Sequence, residues 1–261
     1  MSNNVLVLDI ETAPIESYTW GLWDQNVAVE QIKSEWSIIS FAAKWLGQSK
    51  IIYHDTGGKG AKHVRDDKSL LAVLWCLLHK ADIVVAQNGT SFDIKKINAR
   101  LLMRGYTPYA PIRVVDTLTA AKRYFAFTSN KLAWLSQHLT DAPKSNHGKF
   151  PGFTLWVECM KDNPAAWKEM KKYNIQDVVA TEKLYKKLRP WIVNHPNMAT
   201  YHYGDVTRCP KCGSEHIAKQ GSRTTQSGAY QQYRCRTCLG WSRGKTMLLT
   251  KDKRKSLLVS L

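Results

Sequence analysis

Two sets of residues in this chain have types and spacings suited to chemistry. In Val5-Leu6-Val7-Leu8-Asp9-Ile10-Glu11-Thr12, a β-branched, leucine-rich run is interrupted by two acids. Alternate residues of a strand share a face, so Asp9 and Glu11 look the same way off the end of an apolar strand. Two like charges that close repel and raise each other's pKa. A divalent cation relieves this, because Mg²⁺ and Mn²⁺ favour carboxylate oxygens. The alternative is a strand running out into a solvated acidic turn, and acids further along decide between the two. The second set is Cys209-Pro210-Lys211-Cys212 and Cys235-Arg236-Thr237-Cys238, two CxxC pairs with 22 residues between them. With no secretion signal at the N-terminus, that pattern points to one closed, structural Zn²⁺ site rather than to disulfides.

These residues need elements to hold them. Val5 to Leu8 reads as a buried central strand. Thr12 to Glu35, with Pro14, Tyr18, Trp20 and Trp23, reads as a packed loop or as a lid over the acid pair. Trp36–Gly47 and Lys50–His54 read as strands joined by a turn at Gly47-Gln48. Gly57-Gly58-Lys59-Gly60 lacks the spacing and the Lys-Ser/Thr ending of a phosphate loop. Ser69–Lys80 predicts an apolar helix that buries Cys76, and Ile83–Ala86 a further buried strand. Ser91 is expected to cap a helix over Phe92–Arg104, which Gly105 ends. Arg113–Val115 predicts a strand running into a helix to about Tyr124, with Asp116 as its cap or as a group behind the site. Lys131–Leu139 predicts a helix, Asp141–Phe153 a loop with Pro143, and Pro164–Lys187 a helix that can break near Asn174. The sum is an α/β fold: a mixed sheet with an antiparallel meander and parallel strands, flanked by helices. Acids fall at strand ends, where open α/β sheets place their ligands.

Further acids join the first pair. Asp93 opens the helix after Ile83–Ala86, and Tyr173 and Asp177 stand at i and i+4 on one helical face. VLDIET, NGTSFDIKKI and Y-x₃-D together resemble the three motifs of the DEDD 3′→5′ exonucleases of the ribonuclease-H-like superfamily, over residues 4 to 188. Lys172 stands where one subclass has histidine, and Tyr173 stands where the other has tyrosine, so the chain resembles the tyrosine subclass. That resemblance implies two-metal phosphodiester hydrolysis with two Mg²⁺ or Mn²⁺ ions. Asp9, Glu11 and Asp177 would hold one ion, with Asp9 and Asp93 serving the second. Tyr173 would orient the attacking water, since a phenol of pKa near 10 is a poor base at neutral pH. Asn88 would hydrogen-bond the substrate backbone, Phe92 would stack on the terminal base and Thr12 would contact the terminal nucleotide, with Phe92 alternatively a core anchor. His54, His63, His138 and His147 have no partner spacing and read as surface or core.

The cysteine segment resembles the zinc ribbons near the ends of some transposase and transcription proteins, a three-stranded β-unit that binds nucleic acid. His216–Lys219 and Tyr230–Arg234 read as its strands, with Gly221–Gly228 as a turn. Arg223, Arg234, Arg236 and Arg243, interleaved with Tyr230, Tyr233 and Trp241, suit phosphate contacts and base stacking. The alternative is a purely structural or protein-binding knuckle. Cys159, like Cys76, reads as core.

Composition agrees. The chain has 261 residues and a net charge of +17, and its last 61 residues hold twelve Lys/Arg against three acids. A polyanion partner, most simply nucleic acid, follows from that balance. No apolar stretch is long enough to span a membrane. The expected division is a nuclease domain over 1–189, a linker over 190–205, and a ribbon with a basic tail over 206–261. The expected function is a free-standing, cytoplasmic 3′→5′ exonuclease that prefers DNA, of bacterial or phage kind, acting on single-stranded or 3′-ended substrate. The alternatives are a structure-specific endonuclease, an RNA-trimming exonuclease, and an inactive nucleic-acid-binding protein.

Overall fold

The computed structural model describes residues 4–58, 63–142 and 147–259. Lys59 and Gly60 of the glycine-rich stretch, and Pro143, lie outside the described residues. The chain divides into two compact units, residues 4–185 and residues 186 onward.

The first unit is built on β1 (Val5–Thr12), β2 (Glu16–Ser17), β3 (Ile32–Ser34), β4 (Ile38–Trp45) and β5 (Ile51–Asp55). Then come α1 (Lys68–Lys80), β6 (Ile83–Ala86), α2 (Asp93–Met103), β7 (Arg113–Asp116), α3 (Thr117–Tyr124) and α4 (Leu132–Leu139). Two more helices follow, α5 (Thr154–Met160) and α6 (Pro164–Leu188). Five strands form the main sheet in the order β5-β4-β1-β6-β7. β1 pairs antiparallel with β4 and parallel with β6, and β6 is parallel to β7. This is the mixed sheet that the strand pattern predicts, and the RNase H-like fold that the resemblance implies.

β1 lies in the centre, which explains its apolar run. Val5 to Leu8 are buried, because a central strand is covered on both faces. On α1, Leu70, Leu71, Leu74, Leu77 and Leu78 are buried. Their spacing makes one stripe of a 3.6-residue helix, and that stripe packs on Leu6, Leu8 and Phe41 of the sheet. Cys76 falls on the opposite face of α1 and is exposed, not buried as its apolar neighbours suggest. Cys159 is buried as expected.

Four further expectations are corrected. First, α2 starts at Asp93 with Phe92 as its N-cap and has no side-chain cap bond from Ser91. The preceding turn serves instead, with Phe92 N donating to Asn88 O and Ile94 N to Gly89 O. Second, α6 runs unbroken through Asn174. Third, residues 154–160, between the expected loop and the expected helix and assigned to neither, form α5. Fourth, the segment after Thr12 is a short β2–β3 hairpin whose Tyr18, Trp20 and Trp23 are exposed rather than packed. Arg65 holds both roots of that hairpin, donating to Pro14 O, Glu35 O and the Glu16 carboxylate.

The buried pair Asp67–Arg100 joins the start of α1 to α2. Arg100 Nε and Nη2 reach the two Asp67 oxygens at 2.5 and 2.9 Å. Such a forked arrangement fixes orientation as well as charge, and it braces the helix that carries Asp93.

The second unit contains β8 (Ile217–Thr225), β9 (Gly228–Cys235), β10 (Trp241–Met247) and α7 (Lys251–Lys255). The three strands form an antiparallel sheet in the order β10-β9-β8. β8 runs on through Gly221 to Thr225, so the expected turn from Gly221 shrinks to the two residues before Gly228. A register shift between Lys219 and Ser222 absorbs Gly221, whose φ of +67° suits glycine. Residues 190–205 are not extended throughout: short 3₁₀ turns cover Arg189–Trp191 and Met198–Tyr201. Lys211 Nζ donates to Pro190 O, and Met198 N donates to Pro210 O at 2.7 Å.

Candidate active site and cysteine cluster

The pairing of β1 sets up the site. Its parallel ladder with β6 covers Val5 to Val7, while its antiparallel ladder with β4 continues to Thr12. The tip of β1 therefore projects past β6 on one side. There the Ile10 N–H donates to Asp93 Oδ1 at 3.1 Å, so a side chain at the start of α2 takes the place of a strand partner. Asp93 is buried, and burial pushes its carboxyl up to about 7, opposed in part by the backbone N–H groups that bond it.

Asp9 and Glu11 share a face of that projecting tip, and α6 brings Asp177 to them. Each of the three offers a carboxylate oxygen, and these oxygens lie within 4.8 Å of one another. That is the fit a divalent cation requires: hard oxygen donors, three of them, converging from two rigid elements. Asp93 lies outside this set.

One residue that sequence reasoning passed over completes the geometry. Asn174 is fully buried on α6. Its Nδ2 donates to Asp9 Oδ2 at 2.5 Å and to Asp9 O at 3.2 Å, while its Oδ1 accepts from Ser40 Oγ of β4 at 3.2 Å. It thus ties β1, β4 and α6 together behind the carboxylates. The only signal for it was position, one residue after Tyr173 and three before Asp177 on the same helix.

Tyr173 is nearly buried, and its hydroxyl bonds Asp177. Burial, then the carboxylates of Asp177, Glu11 and Asp9, hold its phenol well above the ordinary tyrosine range. His147 and Trp156 meet the tyrosine ring edge-on at 4.5 and 5.8 Å. His147 is therefore a wall of this site, which its spacing in the sequence did not reveal.

The other expected contacts are placed as follows. Thr12 is half-buried at the end of β1, where the register shifts between Glu11 and Thr12. Asn88 is half-buried with a φ of +66°, and an added Cβ at Gly89 would lie 2.5 Å from Ala86 Cβ. Asp116 holds that turn through Asn88 N and Thr90 N, and it caps α3 through Leu118 N and Thr119 N. Phe92 packs against the main core. Arg223, Arg234 and Arg236 belong to the other unit and are exposed.

In that unit the four cysteine sulfurs Cys209, Cys212, Cys235 and Cys238 also converge within 4.8 Å. The Cys209–Cys238 and Cys212–Cys235 Sγ pairs are each 3.6 Å apart. A tetrahedral Zn²⁺ with Zn–S bonds of about 2.3 Å separates its sulfurs by roughly this distance, so the cluster fits zinc.

Comparison with known proteins supports the class. A family model described as the RNase_H superfamily matches residues 6–189, and the chain belongs to that superfamily. Among solved structures, the chain is similar to the family B DNA polymerase from the hyperthermophilic archaeon Pyrobaculum calidifontis. The identity is 14%, the TM-score 0.52, and the match covers 73% of this chain and 25% of the polymerase chain. At that identity the likeness speaks for the fold alone. No curated protein matches the chain by sequence. Family model and fold together make the chain an RNase H-like protein. No helix among the described residues is long and apolar enough to cross a membrane.

Proposed function

We propose that this protein is a 3′→5′ exonuclease of the tyrosine subclass of DEDD nucleases, acting on DNA in preference to RNA. The reading takes residues 1–189 as the catalytic domain and 206–261 as a zinc ribbon that grips substrate. The observation that carries it is the convergence of Asp9, Glu11 and Asp177 within 4.8 Å beside the buried hydroxyl of Tyr173.

Asp9, Glu11 and Asp177 would hold the first divalent cation, with Asp9 and Asp93 serving a second. When bound, such cations supply Lewis-acid stabilisation of charge at the scissile phosphate. The chain's own residues do the positioning. Asn174 fixes the rotamer of Asp9, and Asp93 pins the projecting tip of β1 through the Ile10 N–H. Burial favours the protonated form of Tyr173, whose hydroxyl would orient the attacking water rather than deprotonate it. Thr12, Asn88 and Phe92 would line the path of the terminal nucleotide.

The deciding experiment is a gel of 3′- and 5′-labelled single strands, DNA and RNA, with Mg²⁺ or Mn²⁺ and an EDTA control. A ladder that shortens from the 3′ end, and that vanishes with EDTA and with Asp9→Ala, is expected. Discrete internal cuts would mean a structure-specific endonuclease instead. A shifted band with no cleavage under either metal would mean a binding protein.

A further inference from the structure

Two cavities in the second unit share one wall, the indole of Trp241. One encloses about 520 Å³ and has Lys211, Arg223 and Arg243 in its lining. The other encloses about 690 Å³ and has Lys186, Lys187, Arg189 and Arg234 in its lining, with Trp191 beside them. Both volumes fall in the range of small-ligand sites, about 300–1,000 Å³. No aspartate or glutamate lines either one. The α6 end and the 3₁₀ turn after it supply three of the seven cations, the strands supply three, and the first cysteine pair encloses the seventh, Lys211.

The aromatic content fits the charge. Trp241 is 43% exposed and Trp191 63% exposed, although large aromatic side chains are usually covered. The Arg234 guanidinium lies 5.3 Å from the Trp241 ring, and the Arg243 guanidinium lies 4.1 Å from the Tyr230 ring. Arginines held on rings present their donors outward while keeping a fixed plane. Phosphate-binding cations on both sides of an exposed indole are what a strand with splayed bases requires. A duplex buries its base faces in its own stack and has no use for the indole.

We propose that Trp241 divides a two-lobed groove that holds an unpaired nucleic-acid strand, with phosphates on the basic linings and a base stacked on the indole. The groove deepens the nuclease reading and rests on it for its substrate class. It adds Lys186, Lys187, Arg189 and Trp191 to Trp241 and the arginines that the ribbon pattern already marks.

The test is binding of fluorescein-labelled oligo-dT, oligo-rU and a duplex to the full zinc-loaded chain, carrying Asp177→Asn so that substrate survives. Trp241→Leu is expected to weaken strand binding about tenfold and duplex binding by less than about twofold. Trp241→Phe, which keeps a ring, is expected to stay within about threefold of the parent. Lys186→Ala with Lys187→Ala should lower the salt dependence of binding by about two charges. Equal strand affinity for Trp241→Leu and parent, or equal loss on strand and duplex, overturns the groove. Polyglutamate bound with the same Trp241 dependence also overturns it, in favour of an acidic-peptide site. The dT and rU arms separate DNA from RNA. If the wild-type chain cuts labelled strands yet Trp241→Leu binds normally, the groove alone fails. If nothing is cut but the Trp241 dependence holds, the groove stands and the nuclease reading fails.

Discussion

Asn174 donates a 2.5 Å hydrogen bond to Asp9 Oδ2 from the fully buried face of α6, and its carbonyl is in turn held by Ser40. Asp9 is thereby fixed before any cation arrives. Groups that orient a metal ligand cost about 10–100-fold in activity or metal affinity when removed. Asn174→Ala should therefore lower kcat by that order and raise the Mn²⁺ concentration needed for half-maximal rate. Titration of activity against Mn²⁺ checks it; an unchanged midpoint would show that Asn174 only packs.

Tyr173→Phe separates orientation from proton abstraction. Burial and three nearby carboxylates hold the phenol above the ordinary tyrosine range. The variant should lose about 10–100-fold in kcat while the shape of its pH–rate profile stays that of the parent. A profile that loses a limb near neutral pH would make Tyr173 the base.

Asp67 and Arg100 form a buried ion pair, with Asp67 fully covered. Asp67→Ala strands a guanidinium in the core. Removing one partner of such a pair costs about 3–5 kcal/mol, which urea unfolding of the chain would register. Replacing both with leucine and methionine should cost much less, because no charge is then left alone.

His195 offers a pH signature in the second unit. Burial, with the Arg189 and Lys211 charges, holds its imidazole down at about 4, against the opposing pull of the Pro196 carbonyl. The folded state prefers neutral histidine, so the unfolded chain takes up a proton first. Stability is full above about pH 6.5 and falls as pH drops towards 4, by up to about 3 kcal/mol. Acid would also release a zinc ion held by the cysteines, so the comparison is with His195→Gln, whose stability should fall less steeply. Parallel curves for the two proteins would remove His195 from the account.

Much of this architecture was legible because burial writes a strong pattern. Val5 to Leu8, Ile83 to Ala86 and the leucine stripe of α1 are apolar at the periods of strand and helix, and each formed where its pattern placed it. The carboxylates were legible as well, since an acid at the end of an apolar run is out of place. α5 was not, because Thr154–Met160 makes under two full turns, too few for a period of 3.6 to show. The turn expected after Gly221 failed for another reason: a glycine with positive φ can sit inside a bulged strand as well as in a turn. His147 and Asn174 were silent because their roles come from contacts across long sequence separations, 26 residues to Tyr173 for the first and 165 to Asp9 for the second.

The projecting tip of β1 has one more consequence. A strand that outruns its neighbour leaves backbone groups open to pairing with a foreign chain, and proteins blunt such openings with charge. Here the Asp93 carboxylate occupies the Ile10 N–H directly. The Asp93 carboxylate thus closes a backbone donor that an incoming strand would otherwise meet.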